Sequence, residues 1–358
     1  MSNRRGTTVS FRAIWGSLSG GILLTATVLL SAPPDEKTPP LPVDQLPERL
    51  LTETVPSGLG QGRPVPPENQ SSQQRVALGR KLFFDPLLSQ DRSMACASCH
   101  RPDHGFATPQ PRAVGIKNRL GTRNAPTVLN RAYGKSFFWD GRAASLEAQA
   151  LKPIENRLEL GSSVATVVER LQADQEYRDQ FQAAYPGGVT AANLARALAS
   201  FERVLVSGDS LVDRFQAGAA SSLSTSQKQG LWLFESRARC WKCHAGSNYT
   251  NESFHNTGVS WAKEPVDLGR YQVTKQEADR GRFKTPTLRD VARTAPYMHD
   301  GSIRTLAEVV AFYNRGGGKN PHLDGRIEPL GLSKEEEQFL VDFLKALRGS
   351  TNWTVNAP

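Results

Sequence analysis

Apolar residues recur at helical spacing along most of this chain, and alternating strand patterns are scarce. Val76, Leu78, Leu82 and Phe83 open a helical pattern shortly after Gln73. Val164, Val167, Val168 and Leu171 form a stripe that Tyr177 and Phe181 continue to the break at Pro186 and Gly187, predicting one long helix. Another helix starts at Thr190, with Leu194, Leu198, Phe201 and Leu205 along one side, and residues 227–236 form a further one. Two capping boxes, Thr305 with Glu308 and Ser333 with Glu336, mark two more helix starts. After the first, Leu306, Val309, Val310 and Tyr313 fall at i, i+3, i+4 and i+7. After the second, Phe339, Leu340, Phe343, Leu344 and Leu347 give an amphipathic face. The expected fold class is mainly α with long loops. Residues 102–141 and 255–285 are loops too long for a compact domain unless they pack on something else, and a large buried cofactor would organise both.

The ends of the chain change this picture. Arg4, Arg5 and Arg12 precede an uncharged apolar stretch, residues 13–32, which reads as an export signal or as a single membrane span. Either places the rest of the chain outside the cytoplasm, and the second would tether it. Residues 33–72 are proline-rich and predict a semi-extended linker, with the ordered body beginning near Gln73. The 358 residues are enough for two domains, and 38% apolar residues suffice for two cores. A net charge of +9 suits an acidic partner, a membrane surface or an ordinary solvated surface. No dense basic run with interleaved aromatics suggests nucleic-acid binding.

The candidate chemistry lies in the cysteines. All four fall in two motifs, Cys96-Ala97-Ser98-Cys99-His100 and Cys240-Trp241-Lys242-Cys243-His244. Each is C-x-x-C-H, the haem c attachment pattern: two thiols bond one porphyrin and the adjoining histidine is placed to ligate its iron. A zinc site explains neither the following histidines nor pairs 144 positions apart. A thioredoxin-like dithiol needs a βαβ pattern that is missing, and two-residue loops are poor disulfide staples. Two covalent haems imply two haem-bearing domains, at residues 73–215 and 216–349, joined within the Gly- and Ser-rich stretch 207–226.

The residues around these motifs resemble the bacterial di-haem cytochrome c peroxidase superfamily, including its MauG-type members, over residues 73–348. The resemblance rests on both cysteine motifs, residues 123–130 (RNAPTVLN), 138–143 (FWDGRA), 254–258 (FHNTG), 284–289 (KTPTLR) and 295–301 (APYMHDG). It implies two cytochrome-c-like haem domains with a calcium ion near their interface. It further implies a peroxide site at the His100 haem, with the His244 haem storing or relaying electrons. The distal residues of the peroxide site fall on Gln149, Pro153 and Glu159, with Glu159 the candidate acid/base, and Trp139 falls between the haems. The calcium positions fall on Asn124, Thr294 and Pro296. His255 and His299 match family histidines that do not ligate iron, while His104 and His322 read as ordinary surface residues.

Two departures from the classical pattern bear on function. Where many members close the resting peroxide site with a histidine, sixteen residues after His100, this chain has Ile116. That implies a five-coordinate peroxidatic haem. Where classical members supply a methionine, fourteen residues after His299, this chain has Tyr313, the MauG-type arrangement. A phenolate ligand favours ferric iron, so the second haem should have a low potential. The expected function is peroxide reduction with electrons from a small redox protein or from a residue on a protein substrate. The alternative is a non-catalytic di-haem electron carrier. A homodimer is compatible with either.

Overall fold

The computed structural model describes residues 56–60, 62–259 and 261–351. The charged and apolar residues 1–32 and most of the proline-rich stretch lie outside the described residues. Among those described, no helix is long and apolar enough to cross a membrane.

The protein is built on two helix pairs, each with its own apolar core. Helix Gln73–Phe84, capped by the Ser72 side chain, packs on helix Ala191–Val204, capped by Thr190. Their core runs from Val76 to Leu205 and includes Phe83, Phe181 and Phe201. Helix Thr225–Glu235 packs in the same way on helix Lys334–Ala346, within a second core from Val212 to Leu347. Both pairs close on a glycine. A Cβ on Gly79 would lie 1.9 Å from the Ala197 carbonyl oxygen, and one on Gly230 would lie 1.9 Å from that of Phe339. Only hydrogen at these two positions lets the backbones touch.

Among the described residues, strand structure is confined to two antiparallel pairs, Ser207–Gly208 with Ser350–Thr351 and Phe254–His255 with Phe283–Lys284. Both expected capping boxes, at Thr305 and Ser333, are present and open helices Leu306–Asn314 and Lys334–Ala346. The expected long helix after Ser163 is instead two, Val164–Ala173 and Gln175–Ala184. Asp174 breaks it: its backbone is extended, and its carboxylate accepts from Tyr177 N at 3.1 Å to cap the second helix. The ordered chain also begins before Gln73. Leu59 is buried, Gly58 O accepts from Arg289 Nη2 at 2.9 Å, and the Asn69 amide donates to Glu147 and to Arg196 O. Composition read these residues as linker because proline disfavours regular structure, yet extended segments can still dock. Residues 102–141 contain only the short turns Pro102–His104, Ile116–Asn118 and Arg131–Tyr133.

Candidate functional site

The long loops enclose two adjoining cavities, one beside each helix pair. The cavity at His244 encloses about 1540 Å³ of unfilled space, mouth included, and the one at His100 about 1260 Å³. Their lining is mainly apolar, and the segment 124–127, Trp139 and Lys284 each contribute to the walls of both.

Each cavity carries one cysteine motif. Cys96 and Cys99 sit in the single turn Cys96–Cys99, Cys240 opens the turn Cys240–Lys242, and none of the four thiols is in a disulfide. Burial raises all of them: Cys99 is pushed up to about 11, Cys240 to about 12, and Cys96 and Cys243 are also raised. Buried neutral thiols are poor metal ligands and poor redox nucleophiles. Among the described residues no group of three or more His, Cys, Asp or Glu side chains gathers as a metal site, so the zinc alternative finds no support.

The two motif histidines are held alike. His100 Nδ1 lies 3.2 Å from Phe106 O, and His244 Nδ1 lies 3.0 Å from Tyr249 O. A carbonyl at Nδ1 makes that nitrogen the N–H donor and leaves Nε2 with the lone pair a metal requires. Burial lowers His100 and brings His244 down to about 4, so both imidazoles are neutral, the ligating form. Two thiols outside any disulfide, an oriented neutral imidazole and a mainly apolar hollow fit a covalently held haem in each cavity.

Beyond the motifs the cavities differ. Gln149, Pro153 and Glu159 come together in the cavity of His100. Burial raises the Glu159 carboxyl, although Asn156 Nδ2 donates to its Oε1 at 2.6 Å. Ile116 is fully buried, and its N–H donates to Glu159 O at 2.9 Å, so it packs against the loop that carries the carboxylate. Tyr313 lies in the cavity of His244 together with Met298, and burial raises its phenol far above the ordinary value. Trp139 is fixed from two sides: its Nε1 donates to Asn124 O at 2.9 Å, and its own carbonyl accepts from Lys284 N at 2.8 Å.

Asn124, Thr294 and Pro296 all line the His244 cavity, as does Trp139. They bring one side-chain amide and main-chain carbonyls, the hard oxygen donors calcium prefers. The structure places His104 differently from its surface reading. It is half-buried, and its Nε2 contacts the carbonyl of Ala295, between Thr294 and Pro296. His322 is half-buried against the Trp261 ring. His255 is buried, with Nδ1 2.7 Å from an Asp324 oxygen. His299 is 4% exposed, stacks on Phe283 at 3.6 Å and leaves Nε2 without a protein partner.

Sequence reasoning passed over two charged cavity residues, Glu202 and Lys284. Glu202 lines the His100 cavity, and burial pushes it up to about 8. The signal was its place one helical turn beyond Leu198, inside the apolar stripe. Lys284 carries no signal of its own in the sequence beyond its place in residues 284–289.

Comparisons with known proteins agree with this arrangement. A family model described as di-haem cytochrome c peroxidase matches residues 73–221. The methylamine utilization protein MauG of Methylorubrum extorquens is 41% identical over 287 residues, covering 80% of this chain and 81% of that protein. The cytochrome c551 peroxidase of Pseudomonas aeruginosa is 36% identical, covering 78% and 80%. Among solved structures, a MauG-like protein associated with microbial copper homeostasis superposes with a TM-score of 0.74 at 30% identity, covering 85% of this chain and 95% of that one.

Proposed function

Because the chain belongs to the di-haem cytochrome c peroxidase family, and is therefore a peroxide-reducing oxidoreductase with two haems c, we propose that peroxide reacts in the His100 cavity and that electrons reach it through the His244 cavity. In this reading residues 73–215 hold the first haem through Cys96, Cys99 and His100, and residues 216–349 hold the second through Cys240, Cys243 and His244. The haem irons, when bound, supply the electrons and the coordination site at which the O–O bond of peroxide breaks.

The gathering of Gln149, Pro153 and Glu159 on the cavity that contains His100, with buried Ile116 in place of a closing histidine, is the observation that carries the proposal. Glu159 accepts the proton of the incoming peroxide and returns it to the departing oxygen. Gln149 orients the bound peroxide, and Pro153 keeps the cavity wall there apolar. Trp139, a wall of both cavities, shortens the gap an electron crosses between them. Tyr313 would ligate the second iron and, by stabilising its ferric over its ferrous form, would favour holding oxidising equivalents after peroxide arrives over accepting electrons from a small cytochrome, which suits a side chain on a protein substrate as the final donor. Asn124, Thr294 and Pro296 hold a calcium ion with neutral oxygens, of modest affinity because no carboxylate is in the set. The protein acts outside the cytoplasm after export by residues 1–32.

Steady-state peroxide turnover with reduced cytochrome c, run beside spectra after peroxide alone, tests this. A lasting spectral change with slow cytochrome turnover supports the protein-substrate reading, and fast turnover supports the small-donor one. Neither response, with carbon monoxide failing to bind the reduced protein, would leave an electron carrier. The ferric spectrum should change in Tyr313→Phe. An unchanged spectrum removes Tyr313 as a ligand.

A further inference from the structure

Lys284 stands where the two cavities meet. Its side chain is 8% exposed, and it lines both cavities. It belongs to strand Phe283–Lys284, paired with Phe254–His255, and its N–H is bonded to the carbonyl of Trp139 at 2.8 Å. Glu252, also 5% exposed, lies 3.5 Å from Lys284 Nζ but is engaged more closely elsewhere. Arg131 Nη1 and Nη2 grip its two oxygens at 2.9 and 3.2 Å, and Lys135 N donates to it at 3.3 Å. One carboxylate thus faces two cations and is already neutralised by the bidentate arginine. A guanidinium does not lose its proton in proteins, so the variable charge beside Glu252 is that of the lysine.

We propose that Lys284 takes up a proton when an electron arrives in either cavity and releases it when the electron leaves, linking electron transfer between the two haems to proton movement. The balance is simple. One electron from the donor protein converts one ferric iron to ferrous, and one proton from solvent converts the Lys284 amine to ammonium, so the net charge of the buried region is unchanged. Reduction of peroxide to two waters consumes two electrons and two protons, and a proton held at the cavity boundary arrives with the electron. Burial and the neighbouring Arg131 bring Lys284 down to about 7, despite the opposing pull of Glu252, so both forms are accessible at neutral pH. Other titratable or charged groups on these walls are His100, Arg123, Arg142, Glu159 and Glu202 on the His100 side, and Arg239, Lys242, His244, His255, Tyr297, His299, Tyr313, Arg326 and Glu328 on the other. Of these, Glu202 is pushed up to about 8 and titrates in an overlapping range.

This inference rests on one haem occupying each cavity, which mass spectrometry of the intact holoprotein checks separately by counting two attached haems. The test is potentiometric titration of both haems in the holoprotein between pH 5.5 and 9. In the wild type at least one potential should fall as pH rises, approaching a tenfold change in the reduction equilibrium per pH unit, about 59 mV for a one-electron couple. Lys284→Gln, neutral throughout, should lose the Lys284 part of that slope and sit near the high-pH value, with any Glu202 contribution retained. Lys284→Arg, charged throughout, should be equally flat and sit near the low-pH value. If either substitution prevents haem loading, the other is read alone. Potentials independent of pH in the wild type, or the full wild-type slope in a haem-loaded variant, would overturn the proposal. With two haems counted by mass, either result condemns the role of Lys284 and leaves the placement of the haems standing.

Discussion

Burial lifts the Glu159 carboxyl above its ordinary value of 4.5, and the direction of that shift fixes a pH dependence. A group that must accept the proton of peroxide acts in its ionised form. The rate of reaction with peroxide should therefore rise with pH through the Glu159 value and level off above it. Glu159→Gln should remove that limb and slow the reaction by about 10²–10⁴-fold, measured by stopped-flow mixing of the resting protein with peroxide. At this scale the sequence was most legible where covalent chemistry imposes spacing, in the two cysteine motifs; Gln149, Pro153, Glu159 and Tyr313, which also fall on cavity walls, came from the resemblance to the peroxidase family. It was least legible where a side chain's role depends on what lies across a cavity. His104 reads as a surface histidine until its Nε2 is seen against Ala295, 191 positions away in the chain. Glu202 and Lys284 look like ordinary charged residues until their burial is known.

Helices with a cap and an unbroken stripe were readable almost residue by residue, because both signals are local. The break at Asp174 was missed because the apolar spacing carries across it from Leu171 to Tyr177, and the capping role of a single aspartate is weak against that pattern. Gly79 and Gly230 gave no signal either, since a glycine inside a helix reads as a mild defect. Their meaning comes only from the partner helix. Replacing either with alanine places a methyl group in contact with a backbone carbonyl, and backbone yields poorly. Each substitution should cost about 1–3 kcal/mol as overpacking does, beyond the small gain in helix propensity. Thermal denaturation of the holoprotein should show the loss in both variants. Unchanged melting in Gly79→Ala would mean that the helices can separate freely.

The molecule as a whole is drawn together by buried ion pairs that join distant segments. Arg289 and Asp213 are each 1% exposed and form two hydrogen bonds of 2.7 and 2.8 Å, while Arg289 Nε and Nη2 also bind the carbonyls of Ser247 and Gly58. Arg123 similarly joins Asp140 to Asp267. Burial alone would raise the Asp213 carboxyl, but the bonds and charge of Arg289 hold it below its ordinary 3.8. A depressed carboxylate contributes stability above its ordinary value and loses it as pH falls through the depressed one, so this pair is intact at neutral pH. Arg289→Met should destabilise the protein by about 3–5 kcal/mol, because it strands a buried carboxylate. Chemical denaturation at pH 7 measures it, and Arg289→Met with Asp213→Leu should recover part of the loss. None of this was visible in the sequence, where partners lie 76 positions apart and ion pairing leaves no periodic trace.

The short pairing of Ser207–Gly208 with Ser350–Thr351 has a consequence for the order in which the molecule is completed. Ser207 follows directly on the first core and is also held by Asn130, so its strand is in place as soon as that half has folded. Its partner strand comes from the far side of the second core. During synthesis Gly208 must therefore wait for its strand partner until nearly all of the second half has emerged, and a chain cut short before Ser350 would leave Gly208 open to strangers.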